Sequence, residues 1–173
     1  MEKTVSVILS LSKNQVYAQQ GSLLWDIPEH VAHFHRLTLG STVIMGYKTW
    51  LTLPVEDRPL PRRENIVLSR NQELVLEDAK VAHSFDEAIA MASCSRVFGI
   101  GGLAVWRKTM DIAHEVWITV VKKEYPIIKE VTLTAPDFLH LTDRWPDFQL
   151  IENQKYRSLG SEGLDFEIQQ WTK

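Results

Sequence analysis

The sequence predicts an α/β protein with a mostly parallel sheet and an antiparallel pair of strands added at the C-terminus. Two observations carry this prediction. Between residues 4 and 106 the segments follow the order strand, helix, strand, helix, strand, strand, helix, strand, helix, and after residue 106 the segments are strand-like only. Strands that alternate with helices are typical of a parallel sheet covered by helices, whereas strands joined by a tight turn pair antiparallel.

The first strand is predicted over residues 4–12, which begin with β-branched residues and lead into the polar stretch Lys13, Asn14 and Gln15. Serines interrupt this run and no small-residue cleavage pattern follows it, so a strand fits better than a signal peptide. Residues 14–26, which contain Gly21, are expected to form an irregular loop.

A helix is predicted over residues 27–37, because Pro28 suits the first turn and Gly40 is placed to end the helix. Asp26 and Glu29 have the spacing of a capping box. The apolar side chains that share one face of this helix are Val31, Phe34 and Leu37.

A short apolar strand over residues 41–46 ends in glycine, and residues 47–51 after it can begin a second helix. Residues 54–63 are predicted to form a loop, because the prolines at 54, 59 and 61 are incompatible with regular structure. Another short buried strand is predicted over residues 65–69.

A capping box from Ser84 to Glu87 opens a helical run over residues 88–92. Residues 97–100 then form a strand that leads through Gly101–Gly102 into a helix over residues 103–106.

The last third of the chain is expected to contain strands. Residues 115–121 are strand-like, and two late segments over residues 148–156 and 164–171 flank the turn Gly160-Ser161-Glu162-Gly163. The sequence therefore predicts a C-terminal hairpin.

The composition excludes several classes of protein. The chain has 173 residues, of which 45% are hydrophobic, and this suits a single domain over residues 1–173. A net charge of -3 provides no basic field for nucleic acid. The single cysteine, Cys94, excludes an internal disulfide and a multi-cysteine metal site. No apolar run approaches the roughly 18 residues of a membrane span, so we expect a cytoplasmic protein with no membrane partner.

Three predicted strand ends are followed by residues suited to binding phosphate. They are Gly46, Tyr47, Lys48 and Thr49, then Ser69 and Arg70, and then Gly101 and Gly102. Ligands bind at the carboxyl ends of strands in open α/β sheets, and helix N-termini near glycine favour anions. Together the three places could hold a dinucleotide, although each alone is also explained as a tight turn, a solvated charge or a helix cap.

Four segments resemble dihydrofolate reductases in identity, order and spacing. They are Leu23-Leu24-Trp25-Asp26-Ile27-Pro28, Val43-Ile44-Met45-Gly46-Tyr47-Lys48-Thr49-Trp50, residues 58–70 and Ile100-Gly101-Gly102. The resemblance extends over essentially the whole chain. It implies an eight-stranded central sheet with about four helices, and a cleft that binds NADPH along one side and a folate-like small molecule on the other. A monomer without a metal is expected.

The resemblance implies cofactor residues by position. Lys48, Thr49, Ser69 and Arg70 match residues that hold the cofactor phosphates, with Lys48 and Arg70 near the 2′-phosphate. The planar fork of an arginine suits phosphate oxygens. The remaining cofactor-side positions are Ser10, Tyr17, Gly46, Gly101, Gly102 and Trp106, and the two adjacent glycines match a pair joined by a cis peptide.

The resemblance also implies substrate residues. The positions that match the walls around the pterin and aminobenzoyl rings are Ile8, Leu23, Phe34, Thr52, Leu53 and Leu60. Arg63 matches an arginine that clamps the glutamate carboxylate of folate. Trp25 and Thr119 match residues that support the pterin end, and with Leu23 and residue 30 they form the expected catalytic end.

Residue 30 departs from the family, because His30 stands where a carboxylate faces the pterin. A carboxylate accepts two hydrogen bonds from the amino-pyrimidine edge, whereas neutral imidazole offers one acceptor and imidazolium offers none. Glu29 lies about 100° around the helix and is expected to point away, although a one-residue shift of the helix would change this. His33 and His35 are expected to be solvated or packing residues, since positions 33 and 35 diverge by about 200° and cannot join His30 around a metal.

Further departures cluster where cofactor and substrate would meet. They are Ser10, Tyr17, Ala18, Leu24, Tyr47, Leu103 and Trp106. The motifs of the scaffold are retained, so this clustering indicates an altered site.

Three functions follow from the resemblance and its departures. The first is reduction of 7,8-dihydrofolate to tetrahydrofolate by NADPH, with catalysis weakened by His30. The second is reduction of a different cyclic imine or enone on the same fold, with His30 as proton donor, since the pKa of histidine lies near neutrality. The third is a relative that binds NADPH or folate without turnover.

Overall fold

The computed structural model describes residues 1–160 and 162–173, so Ser161 of the predicted hairpin turn lies outside the described residues. Ten strands, six α-helices and one 3-10 helix form within these ranges. The strands are β1 (Thr4–Ser12), β2 (Val16–Gln19), β3 (Thr42–Gly46), β4 (Glu64–Leu68), β5 (Lys80–Ala82), β6 (Arg96–Gly101), β7 (Glu115–Val121), β8 (Thr132–Thr134), β9 (Gln149–Arg157) and β10 (Asp165–Thr172). The helices are α1 (Pro28–Thr38), α2 (Tyr47–Thr52), α3 (Phe85–Met91), α4 (Leu103–Met110), α5 (Pro136–Leu139) and α6 (Leu141–Arg144), and the 3-10 helix is Val55–Asp57.

Eight strands form one sheet in the order β5-β4-β3-β6-β1-β7-β10-β9. The pairs β4/β5, β3/β4, β3/β6 and β1/β6 are parallel, whereas β10 pairs antiparallel with both β7 and β9. The predicted fold class is confirmed, because the sheet has eight strands, is parallel over five of them and ends in the antiparallel C-terminal pair.

Two short elements differ from the prediction. β2 lies inside the segment expected to be an irregular loop, and it pairs antiparallel with β8 in a separate two-stranded sheet, with Val16 opposite Thr134. The expectation of strands only after residue 106 is wrong, since α4 continues to Met110 and the single-turn helices α5 and α6 precede β9. A pairing partner more than 100 residues away and a four-residue helix leave no periodic signal in a local window.

The predicted boundaries of α1 are nearly right, but its predicted cap is wrong. The Ile27 carbonyl accepts hydrogen bonds from the backbone N–H groups of His30 (3.0 Å) and Val31 (3.2 Å), so Ile27 precedes the first helical residue and Asp26 lies one position too early to cap it. Val31 is 47% exposed, whereas His30 and His33 are each only 8% exposed. The helix therefore buries a histidine face.

The capping box at α3 is confirmed in part. The Ser84 hydroxyl accepts a hydrogen bond from the Glu87 backbone N–H at 3.1 Å. The Glu87 carboxylate bonds the backbone N–H of His83, one residue before the cap, at 2.6 Å.

The chain divides into two compact units. The first unit comprises residues 1–8 and 36–113, and the second comprises residues 9–35 and 114–173. A core cluster in the first unit includes Val5, Ile44, Ile66, Ala88, Val97 and Val105, and one in the second includes Val16, Trp25, Ile27, Val121, Tyr125 and Phe166. A single domain over residues 1–173 stays a prediction.

Within the described part of the chain, each helix falls short of the length and apolar character that crossing a bilayer demands.

Candidate active site

The three predicted phosphate places lie at neighbouring strand ends of the first unit. β3 stands between β4 and β6, with Gly46 opposite Leu68 of β4 and Met45 opposite Gly101 of β6. Because all three strands are parallel, the residues that follow them emerge at one edge of the sheet. The structure therefore brings these three groups of residues to one edge, as the strand order requires.

Gly101 and Gly102 form the backbone between β6 and α4. The peptide between them is cis, as the resemblance implied, and Gly101 has a φ of +142°. A Cβ built on Gly101 would lie 3.4 Å from the Trp106 ring and 3.5 Å from the Thr49 hydroxyl oxygen. These distances are ordinary van der Waals contacts, so the φ of Gly101 is what favours glycine at this position.

Trp106 and Ile8 are joined by a buried hydrogen bond. The indole N–H of Trp106 donates to the Ile8 carbonyl at 3.1 Å, and the two side chains are 5% and 3% exposed. A predicted cofactor residue and a predicted substrate residue therefore meet at the β1 backbone.

The predicted phosphate-binding side chains differ in exposure. Lys48 and Arg70 are exposed, whereas Thr49 and Ser69 are half-buried. The Ser69 hydroxyl accepts a hydrogen bond from the Asn71 backbone N–H at 3.2 Å. Helix α4 begins after Gly102 with no side-chain cap. Its first N–H groups and the side chains of Lys48 and Arg70 are of the chemical kinds that bind an anionic ligand.

Arg63 is held by the segment around it. Its Nε donates to the Pro61 carbonyl at 2.9 Å and its Nη1 to the Thr38 hydroxyl at 3.1 Å. Burial, and to a lesser degree the charge of Arg62, lower the pKa of Arg63. The predicted substrate residues of the same unit range from exposed Thr52 through half-buried Leu53 to buried Leu60.

In the second unit, His30 contacts Thr119 on β7. The His30 Nδ1 and the Thr119 hydroxyl oxygen are 3.0 Å apart, and the two residues are 8% and 2% exposed. Burial, with a smaller contribution from the charge of His33, lowers the pKa of His30 to about 4. The imidazole is therefore neutral at physiological pH, with one nitrogen as donor and one as acceptor.

The other histidines of α1 pack against rings. His33 meets Trp117 edge-to-face with centroids 5.3 Å apart, and His35 meets Phe34 at 5.6 Å. These contacts agree with the expectation of packing residues. No cluster of three or more metal-ligating side chains occurs among the residues that the structure describes.

Trp25 is buried in the core of the second unit, 5.7 Å from the Tyr125 ring. Its indole N–H is buried and has no hydrogen-bond partner among the described residues. Leu23, two positions earlier, is 54% exposed. Two predicted cofactor residues also lie in this unit. Ser10 is buried on β1, and Tyr17 is half-buried on β2.

A family model described as dihydrofolate reductase matches residues 4–173. The chain belongs to the dihydrofolate reductase family. A dihydrofolate reductase from Mycobacterium leprae is 35% identical over 142 residues, which cover 82% of this chain and 84% of that protein. One from Neisseria meningitidis is 36% identical over 118 residues, which cover 68% of this chain and 72% of that protein.

A solved structure of dihydrofolate reductase from Enterococcus faecalis, complexed with NADP(H) and RAB-propyl, matches with a TM-score of 0.82 and 19% identity. The match covers 98% of this chain and 95% of that one. It shows the shared fold. The family match and the names of the relatives support an oxidoreductase of the dihydrofolate reductase type.

Glu29 has contacts that the sequence did not predict. Its two carboxylate oxygens accept hydrogen bonds from the Ser158 hydroxyl (2.8 Å) and the Leu159 backbone N–H (2.6 Å). Both oxygens are thus engaged away from residue 30, so Glu29 does not take the place of the family carboxylate. Spacing within the chain could not reveal partners that are 129 and 130 residues away.

Proposed function

We propose that this member of the dihydrofolate reductase family reduces 7,8-dihydrofolate to 5,6,7,8-tetrahydrofolate with NADPH, and that His30 weakens the catalysis. One observation supports the proposal: the residues that follow β4, β3 and β6, including Gly102, emerge at one edge of the sheet. Family membership supports the substrate and the reaction.

The residues at this edge fit a dinucleotide phosphate. Any side chain at residue 101 would fill the space beside Thr49 and Trp106, whereas glycine leaves the backbone open to a close ligand. Lys48 and Arg70 would supply the local positive charge for the phosphates, since the net charge of the chain is -3. When bound, NADPH supplies a hydride, which goes to C6 of the pterin.

His30 and Thr119 would bind the amino-pyrimidine edge of the pterin. A neutral His30 whose Nδ1–H donates to Thr119 leaves only Nε2 as an acceptor. One hydrogen bond then replaces the two that a carboxylate accepts, and no negative charge favours protonation of the ring. We therefore expect weaker substrate binding and slower turnover at neutral pH than a carboxylate would give.

The proton for N5 would come from water. The buried indole N–H of Trp25 has no partner among the described residues. A buried donor of this kind is costly unless a ligand or a water accepts its hydrogen bond. Trp25 would orient such a molecule at the pterin end.

His30 as the proton donor for a different imine or enone fits the structure less well. With a pKa of about 4, only about 0.1% of His30 is protonated at pH 7. The same neutral imidazole supports a second candidate, a relative that binds NADPH or folate without turnover.

An assay of NADPH oxidation separates these functions. We expect oxidation by the purified protein that depends on dihydrofolate, and faster oxidation by His30→Asp. His114→Asp, at an exposed histidine, serves as the matched control and should leave the rate unchanged. An inert wild type and an inert His30→Asp variant would refute the reductase. If both proteins are inert but calorimetry shows tight NADPH binding, the protein is a relative that binds without turnover. If the protein oxidises NADPH with another imine or enone and without dihydrofolate, it is the alternative reductase.

The expected monomeric state and cytoplasmic location are part of the proposal. Light scattering of the purified protein tests the first, and fractionation of cells tests the second.

A further inference from the structure

The carboxylate of Glu29 binds two consecutive residues at the end of the C-terminal hairpin strand β9. Its Oε2 accepts from the Ser158 hydroxyl at 2.8 Å and its Oε1 accepts from the Leu159 backbone N–H at 2.6 Å. Leu159 is 94% exposed, so its side chain adds little to the contact, whereas Ser158 is 3% exposed. The interaction is therefore a two-point polar contact with the turn.

Ser158 is fixed from both sides. Its backbone N–H donates to the Leu164 carbonyl at 2.8 Å, and its hydroxyl oxygen accepts from the Gly160 N–H at 3.0 Å. The same hydroxyl donates to Glu29, so one oxygen joins the turn to the helix. These bonds hold Ser158 in place within the turn between β9 and β10.

Gly160 brings the backbone of the turn against the entry of α1. A Cβ on Gly160 would lie 2.9 Å from the Asp26 carbonyl oxygen and 3.1 Å from the Pro28 ring. No residue with a side chain fits there without a shift of the backbone. The turn and the first residues of the helix are thus packed closely, and the contact of Glu29 is part of that packing.

Glu29 and His30 attach the first turn of α1 to the same group of strands. His30 lies 3.0 Å from Thr119 of β7, and Thr119 is opposite Ile168 of β10. Glu29 binds the turn between β9 and β10. Glu29 and His30 lie about 100° apart around the helix axis, so their two contacts together fix both the position and the rotation of the first turn of α1.

Among the described residues, the first turn of α1 has no other polar side-chain contact of this kind. Asp26 lies outside the cap position, and the residue in that position, Ile27, has no polar side chain. A negative charge in the first turn of a helix is also favourable to the helix dipole.

We propose that Glu29 is a positioning residue for His30: its contact with Ser158 and Leu159 holds the first turn of α1 so that the imidazole keeps its place beside Thr119. This inference rests on the proposed function, in which His30 contacts the substrate. Without the contact the first turn of α1 shifts, so the substrate loses its hydrogen-bond partner His30. The cofactor residues of the first unit keep their contacts with the cofactor.

Glu29→Ala and Glu29→Gln are the test variants. Alanine removes both hydrogen bonds. Glutamine keeps an oxygen for the Leu159 N–H, and its amide can donate to Ser158, whose hydroxyl oxygen can accept a second hydrogen bond. Glu124→Ala, at an exposed glutamate of the same unit, is the matched control.

For Glu29→Ala we expect a rise of about fivefold or more in the KM for dihydrofolate, a change below about twofold in the KM for NADPH, and restoration of most of the loss by glutamine. Equal changes in both KM values, or an unchanged KM for dihydrofolate, would overturn the proposal.

A spectroscopic measurement keeps the test independent of turnover. In ¹⁵N NMR spectra of the imidazole nitrogens, Glu29→Ala should shift the Nδ1 signal of His30, whereas Glu29→Gln and Glu124→Ala should leave it in place. If the wild type does not reduce dihydrofolate, the proposed function fails but this shift still decides the positioning role. An unshifted His30 signal in Glu29→Ala refutes that role even in an active enzyme.

Discussion

The Nδ1 atom of His30 lies 3.0 Å from the hydroxyl oxygen of Thr119, and both residues are buried. This contact joins the first turn of α1 to β7. A carboxylate at residue 30 would be charged and would accept several hydrogen bonds, whereas the imidazole is neutral and has a single acceptor nitrogen, which is Nε2 when Nδ1–H donates to Thr119. The tautomer of His30 thus determines which ring nitrogen can accept a hydrogen bond.

Thr119→Val should weaken dihydrofolate binding at His30 without changing the shape of the side chain at residue 119. Valine removes the hydroxyl and leaves a buried nitrogen unpaired, which costs about 1–3 kcal/mol. We expect a KM for dihydrofolate raised about tenfold and a KM for NADPH within about twofold of the wild type. Thr109→Val is the control, because Thr109 is buried and its hydroxyl donates to the Val105 carbonyl of its own helix at 2.7 Å. If the two substitutions raise the KM for dihydrofolate equally, the role of Thr119 is contradicted.

The stability of the protein should fall as the pH drops from about 6.5 towards 4. Burial lowers the pKa of His30 from 6.5 to about 4, so in this window the unfolded chain binds a proton that the folded chain does not. Stability from this source is fully present above pH 6.5, and about 3 kcal/mol is lost by pH 4. Urea denaturation across this range should show the decline in the wild type and a shallower one in His30→Asn. Parallel curves for the two proteins would show that His30 is not the group responsible.

A second loss of stability is expected at lower pH because of Glu64. Burial raises the pKa of Glu64, but hydrogen bonds from the side chain and backbone of Ser93, from Thr42 and from Lys80 outweigh it and lower the pKa to about 2. The folded carboxylate stays charged where the unfolded one is protonated, so stability is lost as the pH falls from 4.5 towards 2. We expect a loss of about 2–3 kcal/mol in the wild type.

Glu64→Gln should remove this second loss, and Glu162→Gln serves as its control. Glu162 pairs with Lys123 at 3.2 Å on the surface, and an exposed pair of this kind contributes about 1 kcal/mol at most. Unfolding measured between pH 2 and 5 should therefore change with Glu64→Gln alone. A similar change in both variants would assign the effect to the total charge.

Gly101→Ala should weaken NADPH binding at least tenfold in calorimetry. The new Cβ would meet Trp106 at 3.4 Å and Thr49 at 3.5 Å, and the φ of +142° strains any residue except glycine. Gly40→Ala is the matched control, because Gly40 has a φ of +72° and nothing lies within 4 Å of its Cβ position. The control should cost about 1 kcal/mol of stability from strain and leave NADPH affinity unchanged. If both variants bind NADPH like the wild type, the edge at Gly101 is not the cofactor site.

The alternation of short apolar strands with helices determined the fold class, because that pattern repeats within windows of about ten residues. β3, β4, β6 and α2 form within one or two residues of their predicted bounds. The resemblance in the segments around Gly46, Arg63 and Gly101 indicated the family and the cis glycine pair, and both are confirmed. These features depend on residues that are close together in the chain.

The features that the sequence did not predict depend on residues that are far apart in the chain. β2 forms because β8 is its partner, and Glu29 leaves the predicted capping box because Ser158 and Leu159 offer it two donors. The resemblance to the family predicts that residue 30 is the position that matters most for function. Only the tertiary structure decides that His30 is buried, neutral and bonded to Thr119, since the pKa of a side chain is set by the solvent it loses and the partners it gains on folding.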